Sequence, residues 1–133
     1  MLTRLLAVAG TLGTETGKAT YVGLSVNDSL MVKGLANIKG SDLLGTASGY
    51  DGVNNAEKLY VYFFSRNCSD IKDLTGGNCL SISEAMIPRC TDPTLQTCDL
   101  IKLAERNYIV PGTRRGPDSS SILPPRLLKL KKK

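Results

Sequence analysis

Histidine is missing from this sequence altogether. Its absence removes the commonest general base at neutral pH, the commonest metal ligand, and any Ser-His or Cys-His nucleophile pair. Hydrolase and metalloenzyme chemistry are therefore disfavoured, and an enzyme built from this chain would have to use carboxylates, lysine or tyrosine. Tryptophan is also absent. The four cysteines contain no Cys-x-x-Cys pair, which argues against a zinc site made of two short knuckles. No stretch approaches the ~20 apolar residues of a membrane-spanning helix. The glycine-rich "GTASGYDG" lacks the Gly-Lys-Ser/Thr of a phosphate cradle and reads as a loop.

What is present fits one domain with tails, in 133 residues. The apolar fraction of 41% lies a little below the usual globular range, while the charged fraction of 22% is ordinary. The net charge of +5 is unevenly placed. From Arg114 onward Arg114, Arg115, Arg126, Lys129, Lys131, Lys132 and Lys133 stand against one acid, Asp118, a net +6 that leaves −1 for the first 113 residues. The basicity belongs to the C-terminal segment, so the high isoelectric point does not by itself describe the folded part.

Hydrophobic periodicity predicts a mostly β protein, a small antiparallel sandwich or open barrel of hairpins with one short helix. Residues 1–19 open with one positive charge, Arg4, followed by a short apolar centre and then small residues, the outline either of a secretory leader or of an ordinary strand. In "TYVGLSV", Val22, Leu24 and Val26 alternate with Tyr21, Gly23 and Ser25, which predicts a half-buried strand. "NDS" turns the chain, and "LMVKGLANI" returns as a hairpin partner with Gly34 at a bulge or close approach. Residues 39–58 form a long polar loop with a short element at 42–44. The run Leu59 to Phe64 fits a strand buried on both faces, or one whose outer face the loop covers. "NCLSISEAMI" predicts another strand, with Leu80 and Ile82 on one side. Leu100, Leu103 and Ala104 share a helical face, which predicts a short helix near 98–106. The main domain is expected over residues 20–112. Residues 113–133, with prolines, a serine run and lysines, are expected to be disordered or extended over a partner.

Cys68, Cys79, Cys90 and Cys98 are spaced C-x10-C-x10-C-x7-C. Two disulfides are the natural reading, and three pairings exist. Cys68–Cys79 with Cys90–Cys98 is favoured because each closes a local hairpin or loop; four buried free thiols in a reducing compartment are the alternative. Asn27-Asp28-Ser29 and Asn67-Cys68-Ser69 match the N-glycosylation triplet, both where turns are expected.

"YFFSRNCSD" followed by "GGNCLSI" resembles a half-motif of βγ-crystallin-like domains and of small secreted cysteine-containing fungal proteins. Phe63, Asn67, Cys68 and Cys79 match it, and the resemblance covers about 25 residues. It implies a strand that folds back as a hairpin and carries no catalytic content. Asp70 stands where the crystallin type has its fold-back glycine, and no acidic calcium segment follows.

Asp42, Asp51, Asp70, Asp73 and Glu84 are the carboxylates available for acid–base work, but each lies in turn-like sequence where capping is the commoner role. Arg66 beside Cys68 does little for thiol reactivity without a histidine or helix start. The expected function is that of a secreted, disulfide-stapled, non-enzymatic binding protein, effector-like or part of an extracellular assembly, with no cofactor or metal. Polar loops would form its contact surface and Tyr50, Tyr60 and Tyr108 its aromatic contacts to a protein partner. The alternative is a structural subunit of an intracellular or organellar assembly. There the basic residues from Arg114 to Lys133 would meet RNA, lipid head groups or a neighbouring subunit.

Overall fold

The computed structural model describes residues 5–92, 94–95, 99–110, 112 and 123–131. Its strands are β1 (Leu5–Thr11), β2 (Ala19–Asp28), β3 (Lys33–Lys39), β4 (Leu59–Ser65), β5 (Cys79–Ser81), β6 (Ile101–Ile109) and β7 (Arg126–Leu130). Helical turns α1 (Gly40–Leu43) and α2 (Lys72–Thr75) lie between them. One sheet has the order β5-β4-β1-β7 and the other β3-β2-β6. The two face each other across a shared core and do not close into a barrel.

Alternation builds that core. Leu6 and Val8 of β1 and Tyr60 and Phe64 of β4 meet Val22, Leu24 and Val26 of β2 and Ile38 of β3. Leu43 of α1 and Ile82 beyond β5 close its ends, both fully buried. The β2–β3 hairpin forms as its sequence predicts. Its register shifts where Val26 faces Ala36 and Asn27 faces Gly34, leaving Leu35 as the extra residue of a bulge. Asp28 closes the turn by accepting the N–H groups of Leu30 and Met31 at 2.9 and 3.1 Å. The short element at 42–44 is α1. The loop after it packs on β4, where Thr46 Oγ1 accepts the Val61 N–H at 3.0 Å.

Several expectations are corrected. The helix near 98–106 is strand β6, paired antiparallel with β2 along its length. Leu100, Leu103 and Ala104 fit a helical stripe, but Ile101 and Leu103 also alternate, and a long strand partner favours the extended form. Within the N-terminal segment, Leu5–Thr11 forms β1, which pairs with β4 on one side and β7 on the other. The basic segment is not disordered throughout: Arg126–Leu130 pairs antiparallel with β1, and residues 113–122 lie outside the described residues. Residues 68–79 do not form a hairpin. Phe63 faces Cys79 in a parallel pair, and the connection runs through α2.

Cys68 and Cys79 are disulfide-bonded, with Cα atoms 5.8 Å apart. Cys90 is disulfide-bonded as well; the partner expected for it, Cys98, lies outside the described residues. Arg66, just past β4, organises the segment between these cysteines. Its guanidinium donates to the carbonyls of Ile82 (3.3 Å), Ser83 (3.2 Å) and Ile87 and pairs with the buried Asp99 at 3.4 Å.

Candidate binding face

Burying Val22, Leu24 and Val26 on the inner side of β2 forces Tyr21, Gly23, Ser25 and Asn27 to the outer side. The same alternation puts Asn37 and Lys39 of β3 on that face, with Ile38 buried beneath. In β6 it puts Lys102, Ala104, Arg106 and Tyr108 there. Register then fixes the neighbours. Tyr21 stands opposite Tyr108, Gly23 lies between Lys39 and Arg106, Ser25 between Asn37 and Ala104, and Asn27 between Gly34 and Lys102.

The two tyrosines form a platform. Their ring centroids are 4.8 Å apart and tilted by 31°. Tyr21 lies along its own strand over Gly23, where any Cβ would overlap the ring. Its hydroxyl accepts a hydrogen bond from Asn37 Nδ2 at 3.4 Å. Tyr108 rests against Tyr21 and stays 57% exposed. The floor beside them is low because its side chains are small. Ser25 Oγ donates to the Ala104 carbonyl at 3.3 Å, and Asn27 Nδ2 reaches Ser25 Oγ at 3.5 Å. The result is a shallow groove of about 500 Å³ lined by Tyr21, Ser25, Asn27, Asn37, Arg106 and Tyr108.

The electrostatics are one-sided. Lys39, Lys102 and Arg106 project from the face, and these strands place no carboxylate there. Asp28 is turned into the β2–β3 connection. Glu105 points between the sheets, where Oε2 accepts the Tyr60 hydroxyl at 2.5 Å and Oε1 accepts Asn107 Nδ2 at 2.7 Å. Burial first, then the hydrogen bond and charge of Glu105, push the Tyr60 phenol far above its usual range. Glu105 borders an inter-sheet cavity of about 290 Å³, also lined by Leu6, Val8, Leu24 and Leu103. With both carboxylate oxygens engaged, this pair acts as a tie between the sheets.

The residues singled out from the sequence scatter. Tyr108 is on the face just described. Tyr60 is not a contact residue: it is fully buried in β4, because its position in the apolar run faces the core. Tyr50 is exposed on the loop after α1, beside a separate apolar groove of about 400 Å³ that Val53, Leu123 and Arg126 also line. Arg126 and Lys129 lie in β7 and Lys131 just past it, all exposed. Arg114, Arg115, Lys132 and Lys133 are outside the described residues. Asn27 sits half-buried near the end of the central strand β2, two residues before the turn that the sequence predicts around it. Asn67 is exposed, and its Oδ1 accepts the Ser69 N–H at 3.0 Å in a local turn.

The carboxylates do structural work or lie in solvent. Asp42 accepts the Lys39 N–H at 3.3 Å at the start of α1, Glu84 pairs with Arg89, and Asp51, Asp70 and Asp73 are exposed. Among the described residues no three cysteine or carboxylate groups gather at a metal-binding distance.

Tyr21, Asn37, Lys39, Lys102 and Arg106 were missed from the sequence. The alternation already turned Tyr21 outward. Reading residues 101–109 as a strand would have set Lys102, Arg106 and Tyr108 on the same side. Fold and face together define a two-sheet, disulfide-bonded β protein with a cationic, tyrosine-bearing sheet surface. No family model matches the sequence, and neither a curated protein nor a solved structure matches it.

Proposed function

We propose that this chain is a disulfide-stapled, non-enzymatic binding protein of an oxidising, extracellular setting, and that its contact surface is the outer face of the β3-β2-β6 sheet. The observation that carries this reading is the platform of Tyr21 and Tyr108, bordered by the cations Lys39, Lys102 and Arg106 of the same sheet. An exposed tyrosine locked by a neighbouring ring offers contact area at low entropic cost. The Cys68–Cys79 bond is compatible with the extracellular setting.

The test compares the wild type with a Tyr21→Ala/Tyr108→Ala variant on arrays of extracellular proteins and glycans. Partners held by the wild type and lost by the variant support the reading. Equal retention of every partner, or chemical conversion of a retained one, contradicts it. Four alkylatable thiols in natively isolated protein would contradict the compartment.

The assembly-subunit alternative draws on β7. That strand ends its sheet, and Leu127, Leu128 and Leu130 are exposed beside Arg126 and Lys129. Sedimentation at micromolar concentration tests it: a defined oligomer abolished by Leu128→Lys supports self-assembly, and a monomer counts against it.

A further inference from the structure

The ligand class can be read from the same face, an inference that rests on the binding reading above. Lys39 and Arg106 both stand opposite Gly23, so their backbones are two strand spacings apart, roughly 10 Å. Lys102 lies four residues along β6 from Arg106, roughly 13 Å away. Three cations spread over this distance, with Asp28 and Glu105 of the same strands turned away from the face, suit a chain of repeated negative charge better than one compact anion. Between them lie flat aromatic surface and short polar side chains.

We infer that the β3-β2-β6 face binds an acidic polysaccharide, with sugar C–H faces on Tyr108 and Tyr21 and carboxylate or sulfate groups at Lys39, Lys102 and Arg106. The chemistry of each part agrees. A pyranose ring has an apolar face that packs on an aromatic ring, and its hydroxyls need donors and acceptors at short range. The amides of Asn37 and Asn27 supply both around the groove. The groove is open and shallow, which suits an extended chain running over a sheet. An oxidising compartment selects among polyanions, because disulfides persist where acidic glycans are abundant, whereas nucleic acids are held chiefly in reducing interiors. Gly23 is part of the device, since a side chain there would lift the Tyr21 ring from the sheet.

Calorimetric titration of the full chain tests this with a sulfated heparin oligosaccharide, an oligogalacturonate and neutral cellohexaose, with a single-stranded RNA of similar length as competitor. At least one acidic oligosaccharide should bind about tenfold or more tighter than cellohexaose, with affinity falling as salt rises. Tyr108→Ala should weaken it about tenfold, and Lys102→Gln/Arg106→Gln should weaken it and flatten the salt dependence. Tyr108 is exposed on an edge strand, so its removal leaves the fold intact, as circular dichroism will confirm. Gly23→Ala serves as a second variant that disturbs the platform without removing any charge, and it should also weaken binding. Absence of acidic-glycan binding, binding indifferent to Tyr108, or tighter Tyr108-dependent binding of the RNA each overturns the inference. Tyr108-dependent capture of a protein without glycan binding would overturn the ligand class while leaving the binding reading intact. Indifference of every ligand to Tyr108 would remove both.

Discussion

Tyr60 shows how one side chain can tie two sheets together. Its ring covers Gly10 of the neighbouring strand, where a Cβ would collide with it, and its hydroxyl crosses the core to Glu105 of the other sheet. Tyr60→Phe removes that donor and leaves the carboxylate half-satisfied. The expected loss is about 1–3 kcal/mol of unfolding free energy, measured by urea titration. The pH dependence follows from the raised phenol. In the unfolded chain a tyrosine ionises near pH 10, whereas native Tyr60 keeps its proton well above that. The unfolded state therefore binds fewer protons than the native state above about pH 10, and stability falls as pH rises beyond that point. Tyr60→Phe should flatten this alkaline decline; an unchanged decline would contradict the tie. Arg66 is the other such residue. Arg66→Met strips the Ile82 and Ser83 carbonyls of their donor and leaves the buried Asp99 carboxylate without its guanidinium, with an expected loss of about 3–5 kcal/mol. A loss below 1 kcal/mol would show that the segment after β5 is held by its cysteines alone.

At the scale of elements, legibility tracked how local the determining forces were. The β2–β3 hairpin was readable because alternation, turn residues and a glycine-marked bulge all lie within residues 20–39. β6 was not. Its sequence satisfies both a helical stripe and a strand alternation, and the choice is made by β2, more than seventy residues earlier in the chain. β7 was missed for a related reason. Its five residues are all exposed, so no buried stripe marks them, and β1 holds the strand largely through backbone pairing. Ending the chain at residue 122 should therefore leave a folded protein with a slightly lower Tm. It would also bare the edge of β1 and promote self-association, seen by light scattering. Outright unfolding would contradict this picture. The Cys68–Cys79 bond was predicted as a pair closing a local hairpin or loop, and it closes the loop between β4 and the parallel β5. Cys68→Ser/Cys79→Ser should cost about 2–3 kcal/mol, chiefly by freeing the unfolded chain.

For the whole molecule, mostly β architecture and the concentration of charge near the C-terminus were legible, because composition and periodicity are properties of the chain itself. The face was not, because it is assembled from three strands and its members come from residues 21–39 and 102–108. Its aromatic half was partly visible in Tyr108, and its cationic half was masked by the larger charge of the C-terminal segment. The folded part is nearly neutral by count yet distinctly polar by side, which a net charge cannot express. The position of a bound ligand on the sheet is the deciding quantity. Backbone amide shifts followed by NMR during titration with the heparin oligosaccharide measure that directly. The largest changes are predicted at Tyr21, Gly23, Asn37, Arg106 and Tyr108; changes confined to residues 41–58 or to Arg126–Leu130 would contradict it.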